Sequence, residues 1–237
     1  MKPIREIYSE YRLMPNLQTH QLRVAAVAKQ ICESIDGFTE THEVVLACLL
    51  HDMGNIIKFD LTHFPEFVQP EGIEYWQKIK DEFILKYGSD EHAATERIAR
   101  EVGASEKTLV FVDNVGFRKL LETESGNSLG QKICAYADMR VGPKGVLSIA
   151  ERTADLRKRY EGRVRNAMSP EALERHYAAL GNIERQIFLV SNMRPEDISD
   201  DSVLMTLIPD SHCVDAVGLT HPIVADSDRG ETSSVRV

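Results

Sequence analysis

Apolar positions along the first 190 residues recur at helical spacing. Between residues 17 and 35, Leu17, Leu22, Val24, Ala25, Val27, Ala28 and Ile31 share a face, which predicts an amphipathic helix. Residues 41–57 predict a second helix, apolar nearly all round through Val44-Val45-Leu46-Ala47-Cys48-Leu49-Leu50, as a buried central helix requires. Pro65 and Pro70 then break the chain into a loop. Further helices are predicted over 73–87, over 91–102 behind the capping residues Ser89 and Asp90, and in short pieces over 106–122. Three more are predicted over 129–140 after the turn Gly126-Asn127-Ser128, over 148–160, and from Pro170 to near Val190 with proline at the first helical position. No sustained strand-type alternation interrupts them, so the fold class is all-α. After Ser191 the periodicity fades and the chain ends in ADSDRGETSSVRV. This predicts a helical domain over 1–190 and an irregular, acidic C-terminal extension over 191–237, partly disordered.

One feature resists the apolar pattern. The run of residues 44–50 closes in His51-Asp52-Met53-Gly54-Asn55. A buried, unpaired carboxylate is costly, so Asp52 needs a partner. Two other ionisable residues sit in comparable apolar helical contexts: His20 in LQTHQLRVAAVAKQI and Asp138 in KICAYADMRVGP. Two imidazoles and two carboxylates form a borderline-hard ligand set, suited to Mn²⁺, Fe²⁺, Zn²⁺ or Co²⁺ better than to Ca²⁺, with Mg²⁺ admissible. A divalent ion would turn the burial of both carboxylates into a stabilising contact.

The order His20, His51-Asp52, Asp138 on successive helices resembles the HD superfamily of metal-dependent phosphohydrolases, whose pattern is H…HD…D on an all-helical core. "HQLRVAAVA", "ACLLHDMGN" and "YADMR" around these residues agree with it, and the resemblance covers about residues 15–165. It implies an HD-type helical bundle. It also implies a hydrolase that cleaves a phosphomonoester or phosphoanhydride, often of a nucleotide, by metal-activated water. Members with two metals carry an extra histidine between the doublet and the last aspartate, and His92 is suitably placed. A further histidine usually follows it, where this chain has Asp113 and Asn114. One ion, with a second left open, is the expectation. In the deoxynucleoside monophosphate subclass a glutamate sits three residues after the doublet and an aspartate five beyond it. Here Asn55 departs from that pattern and Asp60 keeps it. An HD-type di-iron oxygenase and a catalytically silent nucleotide-binding module are the rival readings.

Phosphate chemistry also needs cations. Arg23 follows His20 by three residues on the same helix face, and arginine can bind phosphate oxygens bidentately. Lys58 lies near the doublet, and Arg140 two residues past Asp138. The expected catalytic set is Asp52, Arg23, Lys58 and Asp60; the expected ligands are His20, His51, Asp52, Asp138 and His92. His42, His63, His176, His212 and His221 lack such context, and His176 reads as a surface residue; Tyr75 and Trp76 read as core.

Composition narrows the partners. The formal charge of −9 excludes general nucleic-acid binding, but residues 191–237 carry −6 of it, so an anionic substrate stays open for the helical part. No apolar run approaches the roughly 20 residues of a membrane span, and the charged N-terminus lacks a signal-peptide core. Cys32, Cys48, Cys134 and Cys213 are widely spaced with no CxxC, which predicts reduced thiols and a cytoplasmic setting. A small phosphorylated substrate, and an assembly state left open between monomer and oligomer, complete the expectation.

Overall fold

The structure is a computed structural model, and it describes residues 2–160 and 168–207. The described residues hold eleven α-helices: α1 (Ile4–Glu10), α2 (Pro15–Glu33), α3 (Thr41–Leu50), α4 (Ile73–Tyr87), α5 (Glu91–Glu101), α6 (Glu106–Asn114), α7 (Leu120–Ser125), α8 (Leu129–Arg140), α9 (Ile149–Tyr160), α10 (Pro170–Phe188) and α11 (Asp200–Leu207). No strand occurs among them, only a single antiparallel bridge between Val141 and Val146.

The apolar helix α3 lies at the centre, packed against α2, α6 and α8. Val44, Ala47, Cys48 and Leu50 are fully buried there. On the far side α8 packs against α7 and α10. Four helices start where a side-chain oxygen takes up a free backbone N–H of the first turn. Asp90, Ser105, Ser128 and Ser169 accept from Ala93, Thr108, Gln131 and Ala172.

The helix predicted over 41–57 stops at Leu50, and a short 3-10 turn follows at Asn55–Ile57. Side chains take the carbonyls that this ending frees. The Tyr8 hydroxyl donates to Leu49 O at 2.7 Å, and His51 Nδ1 donates to Cys48 O at 2.8 Å. Tyr8 belongs to α1, a helix that no sequence signal announced.

The fading periodicity after Ser191 gave no element, yet the described part of that segment is built onto the body. The backbone N–H of Asn192 donates to Ser34 O at 2.8 Å, Ile198 and Val203 are buried, and α11 packs on α2. There Gln30 bonds both Ser202 and Thr206, at 3.0 and 2.8 Å. An eight-residue helix offers too few turns for periodicity to show. The disorder expected for ADSDRGETSSVRV, together with Cys213, His212 and His221, falls outside the described residues. Cys32, Cys48 and Cys134 are buried free thiols.

Two further expectations are corrected. His176 is buried, with Nδ1 2.7 Å from Ala172 O and its ring stacked on Phe117. Trp76 is in the core, whereas Tyr75 is 41 % exposed. Both errors have one cause: helical periodicity gives a face but not which neighbour covers it.

Candidate metal centre

Three helices deliver four ionisable side chains to one place. His20 comes from the second turn of α2, His51 and Asp52 from the end of α3, and Asp138 from the last turn of α8. The imidazole Nε2 atoms of His20 and His51 lie 3.1 and 3.4 Å from Asp138 Oδ1. They lie 3.8 and 3.7 Å from Asp52 Oδ2. Ligating atoms of His20, His51 and Asp52 all fall within 4.8 Å of one another.

The local ending of α3 explains how neighbours can share one centre. His51 closes the helix in a helical conformation, and its Nδ1 is committed to Cys48 O. A carbonyl can only accept, so Nδ1 carries a proton and Nε2 is the nitrogen turned toward the carboxylates. That Nε2 is buried and has no hydrogen-bond partner among the described residues. An imidazole fixed by a carbonyl on one nitrogen, with the other unpartnered and facing carboxylates, is how histidine is presented to a metal.

The electrostatics agree. Burial works to lower His51, but the fields of Asp52 and Asp138 overcome it and raise the imidazole to about 10. Burial likewise works to raise Asp138, and His20 and His51 hold its carboxyl well below the usual range. The cluster thus calls for positive charge at its centre, which a proton or a divalent ion can supply. The donor set fits a borderline-hard divalent ion.

The turn that carries Asp52 is seated on α5. The Gly54 N–H donates to Thr95 Oγ1 at 2.9 Å. A Cβ on Gly54 would stand 2.5 Å from Glu91 O and 2.8 Å from Ala94 Cβ, so only glycine permits this approach. Gly54→Ala must push the turn off α5. We expect it to cost about 1–3 kcal/mol, read as a lower urea midpoint with unchanged slope.

The remaining expected residues divide. Lys58 pairs with Glu91 at 3.1 Å. Burial opposes its charge, yet the fields of Asp52, Glu91 and Asp138 hold it above the ordinary lysine value, so it faces the centre electrostatically. Arg23 is half-buried and makes no hydrogen bond or ion pair with the described residues. The Asp60 carboxylate turns back on its own loop, accepting from the Thr62 N–H and hydroxyl at 3.0 and 2.7 Å. His92 is 61 % exposed on its side chain and lies 3.6 Å from Glu91; it is not among the clustered ligand atoms. Asp113 pairs with Lys119 at 3.2 Å, and Asn114 is buried against Thr123.

Arg140 is a correction. Its guanidinium is buried and spent on the fold: it donates to Leu147 O, to the Tyr136 hydroxyl at 2.7 Å, and to Pro195 O and Ile198 O at 3.1 and 3.0 Å. Four of its five N–H donors are committed to the fold, and the side chain is buried. Sequence reasoning also missed Gln21, Cys48, Glu91 and Thr95, which support the ligands rather than join them. Only Thr95 carried a hint, as a hydroxyl on an otherwise apolar helix face.

Against models of known families, residues 17–139 match the HD domain, which spans just over half of the chain. No curated protein and no solved structure gives a match.

Proposed function

The chain belongs to the HD-domain family, and from that premise we propose that it is a phosphohydrolase that cleaves a phosphomonoester or phosphoanhydride of a small molecule, a nucleotide in the reading favoured here. His20, His51, Asp52 and Asp138 would hold one ion of Mn, Fe, Zn or Co. Such an ion, when bound, supplies Lewis acidity at a phosphoryl oxygen and an acidified water. The observation that carries the reading is the buried, unpartnered Nε2 of His51 facing two carboxylates.

The chain's own side chains do the rest. Arg23, uncommitted and on the face of α2 that bears His20, would take phosphate oxygens in its planar fork. Lys58, charged under the pull of Asp52 and Asp138, would neutralise the same group from the other side. Stabilising the spread charge is the main catalytic term in phosphoryl transfer. Asn55 cannot accept a proton from water as a carboxylate would. Asp60, turned onto Thr62, stays outside this machinery.

Elemental analysis of the purified chain tests the reading, followed by a phosphatase screen across nucleoside mono-, di- and triphosphates with the metal found. About one transition ion per chain and phosphate release from one nucleotide class is the expected outcome. A chain that takes up no ion from Mn²⁺, Fe²⁺, Zn²⁺ or Co²⁺ would overturn it. Two irons per chain would point instead to a dinuclear hydrolase or to the di-iron oxygenase.

A further inference from the structure

Asp52 is gripped at both of its ends by an amide. Gln21, fully buried on α2, accepts the Asp52 backbone N–H on its Oε1 at 3.2 Å. Only the amide oxygen can accept, so the orientation of Gln21 is fixed. Its Nε2 is left buried without a partner among the described residues. From the other side, Asn55 Nδ2 donates to Asp52 Oδ2 at 2.5 Å. Here too the chemistry dictates the orientation, because a carboxylate wants a donor. Oδ2 is the same oxygen that faces His20 and His51.

Burial alone gives no reason for an amide at position 21. Leucine would fill the space and remove the unpaired Nε2, but it would take the acceptor away from the Asp52 N–H. The use of Gln21 lies in its oxygen. Asn55 has a matching logic: it fills one acceptor direction of Oδ2 with a neutral donor, which leaves the negative charge free for a cation. A carboxylate there would repel Asp52 instead.

We propose that Gln21 and Asn55 are positioning residues. They hold Asp52 by its backbone and by its carboxylate, so that Oδ2 faces the imidazole pair before an ion arrives. The proposal rests on the metal reading given above. Holding a ligand in place removes reorganisation that binding would otherwise have to supply, and partners of this kind set metal affinity.

The test is a Mn²⁺ titration of the full chain after stripping with a chelator. It reads the Kd for Mn²⁺ and the rise in Tm that the ion produces. Gln21→Leu and Asn55→Ala should each weaken Mn²⁺ by about tenfold or more and shrink the ion-induced rise in Tm. A purely structural role would lower Tm equally with and without Mn²⁺ and leave Kd unmoved, which would overturn the proposal. If Gln21→Leu fails to fold, Asn55→Ala decides alone, and a wild-type Kd there is fatal. A wild-type chain that binds no Mn²⁺ would instead remove the metal reading itself, and this proposal with it.

Discussion

Asp52→Ala is expected to lose both its bound ion and about a thousandfold in kcat. Asp52 Oδ2 stands between the two imidazoles at 3.8 and 3.7 Å, so its removal takes away one of the two carboxylate charges that balance a cation there. Losing about 4 kcal/mol of charge stabilisation at a phosphoryl group corresponds to about a thousandfold in rate. Metal content and phosphate release, measured on the same preparation, check the prediction. The circular dichroism of the variant should stay helical, because the turn keeps its seats on Thr95 and Gln21. Wild-type turnover by a metal-free Asp52→Ala chain would sink the mechanism.

Arg140→Met carries the largest expected stability effect. Methionine fills much of the volume but leaves Leu147 O, Pro195 O, Ile198 O and the Tyr136 hydroxyl without their donor. Each hydrogen bond to a charged group contributes about 1.5–3 kcal/mol, and some of the freed carbonyls will find water. We expect a net loss of about 3 kcal/mol, which lowers Tm by about 6–12 °C for a chain of this size. Differential scanning calorimetry measures it. The loss should be local as well: amide exchange across 194–207 should speed up more than exchange in α3, because Pro195 and Ile198 tie that segment to α8. A Tm within 2 °C of wild type would show that the guanidinium is dispensable.

The contrast between Asp138 and Arg140 shows what a linear pattern can tell. Both are charged residues of α8, two apart, in an apolar setting. The sequence placed Asp138 with His20 and His51 because charge buried in a helix needs opposite charge, and three such residues in order suggest one solution. The need of a phosphate site for cations put Arg140 there as well. A linear pattern cannot see that backbone carbonyls from a distant loop serve a guanidinium equally well. The helices were legible wherever they ran for three turns or more with a covered face, as α2, α4, α8 and α10 do. The short α1 and α11 were not, since their burial comes from neighbours rather than from their own repeat. The same holds for Gln21 and Thr95. They are ordinary polar residues until α2, α3 and α5 meet.

The contact between His20 and Asp138 spans 118 positions of the chain. A nascent polypeptide emerging at about 5–20 residues per second needs about 6–24 s to deliver the second after the first. Once residue 52 has emerged, three donors wait for their fourth. Nothing short of the α8 segment can complete the ring, and closing so large a loop costs entropy that only the collapsed core of α2, α3 and α8 offsets. If His20, His51, Asp52 and Asp138 hold an ion as proposed, its capture is a late event in the chain's biosynthesis. Metal supply would then act on the finished chain rather than on its synthesis.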